Sequence, residues 1–514
     1  MTTTEPSPRA TDALEAFLAT PDASLHSSLR QLDKDLRSIP AGGGQATATE
    51  AGHAAVPVLV TALAEAPAAR LAHLLLLLGL LADTDAHDAV RDGLAGILPV
   101  FDRAAEDRRT VAALLHVAGH FPEDAERVLA AADAVALSPD DRSRLERSLA
   151  GKRVPGAVLA RVWPSPAMWA VTEAERAADG QWHGMMPEEQ LEAMWQSDTR
   201  ALRDYSASKA IALLDTPPAP YTAASDYVEP EAARAAAAEP AGADAPGADA
   251  VARLAPFEKL LACPDCAGVL ELGEGGARCT SCGKAHPATE GWLDLSSAAG
   301  QGMEAMILND VAQVTRYERG LRPAFLRVMG RDFDDLLGVD DEIRFLTTHA
   351  RPEEGPVLDV AAGSGRFTRV LAEELGPDRV VPLDLSTSML TALQAAGPQL
   401  PAVRGSAVKL PFADASLSAV TCWNALQTLP YQAQVIAEVG RVLRPGGTFT
   451  LFTFLPDEDP LYREFQARQE QALRVHLYPR EVIRKWVSEA GLTIREETGP
   501  GSYLFIAAVR ENRP

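Results

Sequence analysis

A short glycine-containing turn constrains the fold of this chain more than any other feature. The apolar run 357–360 ends in the residues Ala-Ala-Gly-Ser-Gly, and an amphipathic stretch begins directly afterwards at Arg366. This order predicts a buried strand, a tight turn and a helix N-terminus, the arrangement in which α/β proteins hold nucleotide-like ligands. Gly363 and Gly365 allow the backbone to approach a ligand more closely than a side chain would permit. The turn alone does not identify that ligand.

A second strand with an acid near its end follows the turn. The run 379–385 is largely apolar and contains Asp384, 19 residues after Gly365. A carboxylate at this spacing can accept hydrogen bonds from both ribose hydroxyls of an adenosine. A dinucleotide fingerprint would have a third glycine where this chain has Thr368, and it would lack an acid at the position of Asp359. The combination favours S-adenosylmethionine (SAM), whose ammonium group requires a nearby carboxylate, over NAD.

The chain length limits the number of domains, and the hydropathy pattern indicates the cellular compartment. A chain of 514 residues predicts about two to four domains. The longest aliphatic run, 74–82, is far shorter than the roughly 20 residues of a membrane span. Residues 1–8 contain no basic segment that leads into an apolar one, so we expect no signal peptide. These patterns predict a cytoplasmic protein that does not act in a membrane.

The charge distribution disfavours nucleic acid as a partner. The net charge is −23, and residues 341–514 carry 21 acids and 18 bases, so most of the negative charge lies before residue 341. Nucleic-acid-binding proteins usually present basic surfaces that release counterions from the phosphates. A small-molecule or peptide substrate is therefore expected instead.

The N-terminal region is predicted to be helical. Residues 12–150 are rich in Ala and Leu at helical spacing, and the segment 77–83 is echoed at 117–123, a period of about 40 residues. This period resembles that of HEAT repeats, which implies an array that binds a protein partner; an irregular helical bundle is the alternative. His116 and His120, four residues apart, are interpreted as packing residues of one helix face.

Two further segments separate this region from the C-terminal half. Residues 151–215 are predicted to form a helical extension of the first domain. Residues 216–255 are dominated by Pro, Ala, Gly and Asp, and such a composition cannot bury enough apolar surface to offset the loss of chain entropy. We therefore predict a flexible linker and a domain boundary at 216–255.

Four of the five cysteines form a C-x2-C-x12-C-x2-C array between residues 256 and 298. They are Cys263, Cys266, Cys279 and Cys282. Each pair directs two thiolates at one centre, and two pairs complete a tetrahedron suited to Zn²⁺, with no open position for a substrate. The array predicts a four-cysteine zinc ribbon with a structural metal; a pair of redox dithiols is the alternative. The segment resembles the zinc ribbons that precede certain methyltransferase domains and the zinc-ribbon partner protein of tRNA and protein methyltransferases.

Residues 346–514 resemble the class I SAM-dependent methyltransferases of the UbiE-like group (methyltransferase type 11). The matching motifs are Asp359-Val-Ala-Ala-Gly-Ser-Gly, the acid Asp384, Gly405-Ser-Ala-Val-Lys-Leu-Pro-Phe and Arg441-Val-Leu-Arg-Pro-Gly-Gly. The resemblance implies an α/β Rossmann-like domain with a seven-stranded sheet. The whole chain is then a multidomain protein with a helical N-terminal domain, a zinc ribbon and this C-terminal domain.

The same resemblance implies a set of cofactor-binding residues. They are Asp359, Ala361, Gly363, Gly365, Asp384, Met389, Ser406, Ala407 and Asn424. One position departs from the family pattern: Ser406 stands where these enzymes usually have an Asp that binds the adenine amine.

The sequence does not assign a catalytic residue. Methyl transfer from SAM depends on alignment and on the exclusion of water, and a general base is needed only when the acceptor must lose a proton early. Residues 299–345 are predicted to form a helical cap over the substrate cleft, which makes Tyr317 a candidate base. His476, in the insertion before the last helix, is a second candidate.

Three functional hypotheses follow. The first is a SAM-dependent methyltransferase that modifies an oxygen or nitrogen of a small molecule or peptide, with the N-terminal region binding the substrate or a protein partner. The second is a methyltransferase of rRNA or tRNA, because the ribbon and the fold together resemble enzymes that methylate guanine in ribosomal RNA. The third is a non-catalytic SAM-binding scaffold protein, for which Ser406 is the one indication.

Overall fold

The chain forms two compact units in the computed structural model. The described residues are 8–21, 24–40, 45–154, 156–159, 166, 169, 171, 173–223, 248–289, 291–296, 317–331, 337–397 and 399–511. The first unit comprises residues 1–228, 320–331 and 457–472, and the second comprises residues 229–319, 332–456 and 473–514. Within the described ranges, no helix combines the length and the apolar character needed to cross a bilayer.

The first unit is built from helices and one short antiparallel strand pair. Its helices are α1 (Pro8–Ala19), α2 (Leu25–Leu36), α3 (Glu50–Glu65), α4 (Ala68–Ala82), α5 (His87–Asp92), α6 (Leu94–Ile97), α7 (Phe101–Ala104), α8 (Arg108–Ala118), α9 (Ala125–Ala132), α10 (Pro139–Leu149), α11 (Glu173–His183) and α12 (Glu188–Leu214). The strands are β1 (Arg37–Ser38) and β2 (Thr47–Ala48). The helical prediction for this region agrees with these elements, whereas the HEAT-like arrangement stays a prediction.

Helices α4 and α8 form the centre of the first unit. Every residue from Leu71 to Ala82 is buried, and so is every residue from Arg109 to Ala118. A helix that is apolar on all sides requires neighbours on all sides, which explains why the aliphatic run 74–82 is surrounded rather than exposed. Gly79 of α4 faces the His116 ring, and a Cβ at Gly79 would lie 2.3 Å from its Cδ2. The ring therefore packs where α4 has no side chain.

Two segments from the C-terminal half of the chain also belong to the first unit. They contain α14 (Arg322–Met329) and most of α19 (Pro460–Leu473). Asp459, just before α19, accepts hydrogen bonds from the Arg30 and Arg331 guanidinium groups and lies 2.6 Å from His26 Nε2. Buried ion pairs of this kind fix the position of a segment, because breaking one leaves an uncompensated charge.

The second unit contains the ribbon segment and the C-terminal α/β domain. Its strands are β3 (Leu270–Gly273), β4 (Gly276–Cys279), β5 (Ala285–Thr289), β6 (Trp292–Asp294), β7 (Val357–Val360), β8 (Val380–Asp384), β9 (Ala402–Arg404), β10 (Leu417–Trp423), β11 (Leu443–Phe454), β12 (Leu492–Thr498) and β13 (Tyr503–Arg510). Its helices are α13 (Ala248–Leu254), α15 (Val339–His349), α16 (Arg366–Leu375), α17 (Thr387–Ala396), α18 (Gln432–Val442) and α20 (Arg480–Glu489).

The C-terminal strands form a mixed seven-stranded sheet in the order β12-β13-β11-β10-β7-β8-β9. Strands β9, β8, β7, β10 and β11 are parallel, whereas β13 is antiparallel to both β11 and β12. The order reverses at β7, so the carboxyl ends of β7 and β10 flank the crevice where open α/β sheets bind ligands. The predicted Rossmann-like C-terminal fold is confirmed.

The sheet continues beyond β9 into the cysteine-containing segment. Strand β6 runs parallel to β9, and β5, β4 and β3 extend the sheet as antiparallel neighbours, giving eleven strands in one sheet. The motif spacing predicted the ribbon as a separate small domain. In the structure its last strand, β6, is a neighbour of β9 in the C-terminal sheet, a non-local pairing that local motifs do not reveal.

The described residues cover the predicted linker 216–255 and the predicted cap 299–345 only in part. In the predicted linker 216–255, residues 224–247 lie outside the described residues, and the part after them forms α13. In the predicted cap 299–345, α14 packs within the first unit and α15 lies within the second. Residues 299–316 and 332–336 of that region lie outside the described residues.

Candidate functional site

The glycine-containing turn has the conformation that the sequence predicted. Ala361, Gly363 and Gly365 have φ angles of 55°, 56° and 81°, and Gly365 is the N-cap of α16. A Cβ at Gly365 would lie 2.7 Å from Leu393 Cγ, so this position needs glycine for both its backbone and its packing. Ala361 is a non-glycine residue in the left-handed region, and such strained residues cluster at functional sites.

Asp384, at the end of β8, is joined to this turn through its carboxylate. Its Oδ2 accepts a hydrogen bond of 2.8 Å from the Gly363 amide, and its Oδ1 accepts one of 2.8 Å from the Ser386 amide. Each oxygen keeps further acceptor capacity, because a carboxylate offers about four lone-pair positions. Burial raises the pKa of Asp384, although these backbone N–H groups oppose the shift.

Asp359, on the neighbouring strand β7, is held by two hydroxyl groups. Thr368 donates to its Oδ2 at 2.5 Å, and Thr421 donates to its Oδ1 at 2.8 Å. Thr421 lies directly opposite Asp359 in the parallel register of β10 and β7. Burial raises the pKa of Asp359 to about 6, and the two hydroxyl hydrogen bonds offset part of that rise.

Among the described residues, neither of these carboxylates has a basic partner. Within the described part of the chain, no Lys, Arg or His forms an ion pair with Asp359 or Asp384. Isolated buried carboxylates are costly unless neutral donors or a ligand stabilise them. Two such groups at the ends of adjacent strands, beside a strained turn, therefore form a site suited to a cationic, hydroxyl-bearing ligand.

A third acid, Glu318, also contacts the turn. Glu318 lies in a π-helical turn, Tyr317–Leu321, and its carboxylate accepts a hydrogen bond of 2.6 Å from the Ser364 hydroxyl. It also forms an ion pair with Arg366, the first residue of α16. Tyr317, the candidate base, is therefore one residue from a group that contacts the turn.

Three more predicted residues lie near the turn or after β9. Met389 is buried, with its sulfur 4.0 Å from the position that a Gly363 Cβ would occupy. The Ser406 hydroxyl accepts a hydrogen bond of 3.3 Å from the Val408 amide, so it caps its own turn. Ala407 is buried beside it. Gly405 connects this turn to β8, because its amide donates to the Asp384 carbonyl at 3.0 Å.

Asn424 directly follows β10. This strand lies on the other side of β7 from β8 and β9 in the sheet. It is buried and has a left-handed φ of 53°. Gln427 Nε2 donates to the Asn424 carbonyl and side-chain oxygens, and Gln427 Oε1 accepts from the Thr453 hydroxyl. The His476 amide donates to the Gln427 carbonyl at 2.9 Å, whereas the His476 ring is exposed. The backbone of His476, rather than its imidazole, contacts this network.

The four cysteines lie together with a geometry that fits zinc. All four sulfurs lie within 4.8 Å of one another, with Cys263 Sγ 3.8 Å from Cys282 Sγ and Cys266 Sγ 3.5 Å from Cys279 Sγ. A zinc–sulfur tetrahedron with bonds of about 2.3 Å has sulfur–sulfur edges of about 3.8 Å. His286 Nε2 lies 3.6 Å from Cys263 Sγ, outside the ligand set and in a position to orient that thiolate.

Sequence reasoning missed several residues that support this site. Thr368 stands where a dinucleotide fingerprint has its third glycine. Its hydroxyl donates a hydrogen bond to the Asp359 carboxylate. The partner hydroxyl of Thr421 depends on the register between two strands that are distant in sequence. Glu318 comes from outside the α/β domain's motifs. A hydroxyl residue facing an acid across a predicted strand pair is the one signal that could have identified Thr421.

Comparison with known proteins relates this site to a family. A family model described as a methyltransferase domain matches residues 358–451, from β7 into β11. An uncharacterized chloroplastic methyltransferase of Arabidopsis thaliana is 30% identical over 257 residues, which cover 45% of this chain and 70% of the plant protein.

One further relative and one solved structure match smaller shares of this chain. A demethylmenaquinone methyltransferase of Beutenbergia cavernae is 35% identical over 158 residues, covering 28% of this chain and 63% of that enzyme. Among solved structures, a putative methyltransferase from Bacillus halodurans has 21% identity and a TM-score of 0.30, covering 34% of this chain and 100% of the other.

Proposed function

Because this chain belongs to the class I methyltransferase family, we propose that it binds SAM at the turn 361–365 and transfers the methyl group to an oxygen or nitrogen of a small molecule or peptide. The observation that carries the proposal is the pair of buried carboxylates, Asp359 and Asp384, that have no ion-pair partner among the described residues. SAM carries two positive charges and a ribose diol, which are the groups that such acceptors stabilise.

The proposed binding roles follow from the acceptor capacity of each residue. Each oxygen of Asp384 accepts one backbone hydrogen bond and could accept another, so the carboxylate would accept hydrogen bonds from the ribose hydroxyls. The negative charge of Asp359, close to the turn in sequence, would stabilise the ammonium group of SAM. Met389 and Ala407 would provide apolar surface for the adenine, and Ser406 a weaker polar contact than the usual Asp.

SAM, when bound, supplies an activated methyl group on its sulfonium. The residues of this chain would hold it, align the acceptor and exclude water, and these effects alone can supply a large part of the rate acceleration. Asn424, just after β10, has a left-handed backbone and accepts a hydrogen bond from Gln427, and it would border the bound ligand. Tyr317 and His476 remain candidates for accepting a proton from the substrate.

The cysteine cluster is proposed to hold a structural Zn²⁺. Four thiolates complete the coordination and leave no position for water or substrate, so the metal would stabilise the ribbon rather than take part in methyl transfer. We expect metal analysis of the purified chain to give one zinc per molecule. Cys279→Ser should release the metal and unfold the ribbon, because ligation and folding are coupled at such sites.

The activity is tested by incubating the full chain with SAM carrying a labelled methyl group and small-molecule and peptide extracts. We expect mass spectrometry to detect a product heavier by one labelled methyl group. The comparison variant is Asp384→Asn, which keeps the side-chain shape but removes the charge, and it should form far less product than the wild type when SAM is sub-saturating. Tyr317→Phe and His476→Gln then test the two candidate bases, since loss of product in only one of them would assign that role.

Tight SAM binding without any methylated product would favour the non-catalytic scaffold hypothesis. The first unit is proposed to bind the substrate or a protein partner. This role is tested by pull-down with the purified full chain as bait, with the product assay repeated in the presence of any protein recovered.

A further inference from the structure

Strand β9 lies between the cysteine-containing ribbon and the strand that carries the ribose-binding acid. In the sheet register Arg404 pairs with Asp384 of β8 on one side and with Asp294 of β6 on the other. The Leu295 amide donates to the Arg404 carbonyl at 2.8 Å. One residue therefore has backbone neighbours in both the ribbon and the proposed SAM site.

The Arg404 side chain repeats this connection. Its Nε donates to the Leu385 carbonyl at 3.2 Å, immediately after Asp384, and a terminal nitrogen forms an ion pair of 2.8 Å with Asp294 Oδ2. The other oxygen of Asp294 accepts hydrogen bonds from the amide and hydroxyl of Ser296. Arginine suits this place because its planar guanidinium can bond two acceptors at once in a fixed geometry.

A second connection joins the ribbon to the turn that follows β9. The Ala262 amide donates to the Pro411 carbonyl at 3.0 Å, and the Ala413 amide donates to the Leu260 carbonyl at 2.8 Å. These ribbon residues directly precede the first zinc-ligand candidate, Cys263. The segment after Ser406 is therefore paired with the chain that enters the metal cluster.

We propose that Arg404 and Asp294 are positioning residues through which the ribbon fixes the ribose- and adenine-binding turns. The inference rests on the proposed function, because it requires SAM to bind beside Asp384 and Ser406. Neither residue is proposed to touch SAM. Their effect is on affinity: a turn held in its binding conformation before the ligand arrives does not lose conformational entropy on binding.

The test measures the Kd of SAM by calorimetry for the full chain and for Arg404→Lys and Asp294→Asn. Lysine cannot bond both acceptors, and asparagine lacks the charge, so each variant should bind SAM roughly two- to fivefold more weakly, the range of a partly exposed charged pair. The double variant should have a Kd no higher than that of the single variant that binds SAM less tightly, because both substitutions break the same ion pair between Arg404 and Asp294. Zinc content should equal that of the wild type.

Arg495→Lys is the matched control. Arg495 lies on β12 and forms an exposed ion pair with Glu511, so this substitution should leave the Kd unchanged. If Arg404→Lys and Asp294→Asn lower the thermal unfolding midpoint but leave the Kd of SAM unchanged, the residues are merely structural and the inference is wrong, while the proposed function stands. If the wild type itself binds no SAM, the proposed function fails first and the inference fails with it.

Discussion

The two units of this protein bury carboxylates in opposite ways. In the first unit, Asp33 pairs with Arg37, and Asp141 pairs with Arg144 and Lys209. In the second, Asp359 and Asp384 are held by hydroxyl and backbone N–H groups. Charges that are neutralised internally serve the fold, whereas buried charges left to neutral donors keep the capacity to stabilise a ligand. The difference separates structural acids from candidate binding acids.

The largest effect is expected where an internally paired acid is neutralised. Asp141→Asn removes the negative charge that faces Arg144 and Lys209 and weakens the hydrogen bond from the Tyr221 hydroxyl. We expect a loss of about 3–5 kcal/mol in the free energy of unfolding, measured by denaturant titration, as for other broken buried ion pairs. SAM affinity should not change.

The pH dependence of the same acid has a definite sign. Burial alone would raise the pKa of Asp141, but Lys209 and Arg144 lower it below its usual value. A depressed carboxyl pKa contributes stability above the unfolded-state pKa, and that stability is lost as the pH falls below about 4. The difference in unfolding free energy between wild type and Asp141→Asn should therefore shrink on acidification; a constant difference would contradict the pairing.

The same substitution in the second unit should change ligand binding instead. Asp384→Asn keeps the side-chain shape but replaces the carboxylate, whose oxygens would accept hydrogen bonds from the ribose hydroxyls, with a neutral amide. We expect SAM affinity to fall by about a hundredfold, which is about 2.7 kcal/mol, in equilibrium dialysis with labelled SAM. Zinc content should be unchanged. A variant that keeps wild-type affinity would place the ribose elsewhere.

Asp359→Asn should stabilise the ligand-free protein while weakening SAM binding. A carboxyl pKa raised by burial to about 6 means that ionisation in the folded state is unfavourable, so stability decreases as the pH rises from about 4 to 6. The substitution should raise the unfolding free energy by about 2 kcal/mol at pH 8 and by less at pH 5. Destabilisation at pH 8 would show that the acid is structural, like those of the first unit.

The smallest effect is expected at the position that departs from the family pattern. Ser406 accepts a hydrogen bond from the Val408 amide, and an aspartate can cap the same turn. Ser406→Asp adds a charged acceptor for the adenine amine and should strengthen SAM binding by up to about tenfold, as charge-assisted hydrogen bonds do. Ser406→Ala is the control, and it should change the affinity by less than about threefold. Weaker binding by Ser406→Asp would exclude adenine from this turn.

The sequence predicted the local parts of this structure better than the distant ones. The turn at Gly363 and Gly365 and the cysteine cluster follow from spacing along a short stretch of chain, and so do their observed geometries. Thr421 reaches Asp359 only through strand register, which no short motif encodes.

Short motifs also fail to predict which C-terminal segments belong to the first unit. Helices α14 and α19 join the first unit through ion pairs of Asp459 and through the Tyr462 hydroxyl, which donates to the carbonyls of Arg327 and Val328. These partners are more than 100 residues apart. Their pairing depends on the tertiary fold, so the helical pattern of residues 299–345 alone does not reveal it.

The most direct test of the central claim is a calorimetric titration of SAM into the purified full chain, beside Asp384→Asn and Asp141→Asn. We expect one SAM per wild-type chain, the same affinity in Asp141→Asn, and an affinity about a hundredfold lower in Asp384→Asn. Absence of binding to the wild type, or equal affinities in all three proteins, would contradict the central claim.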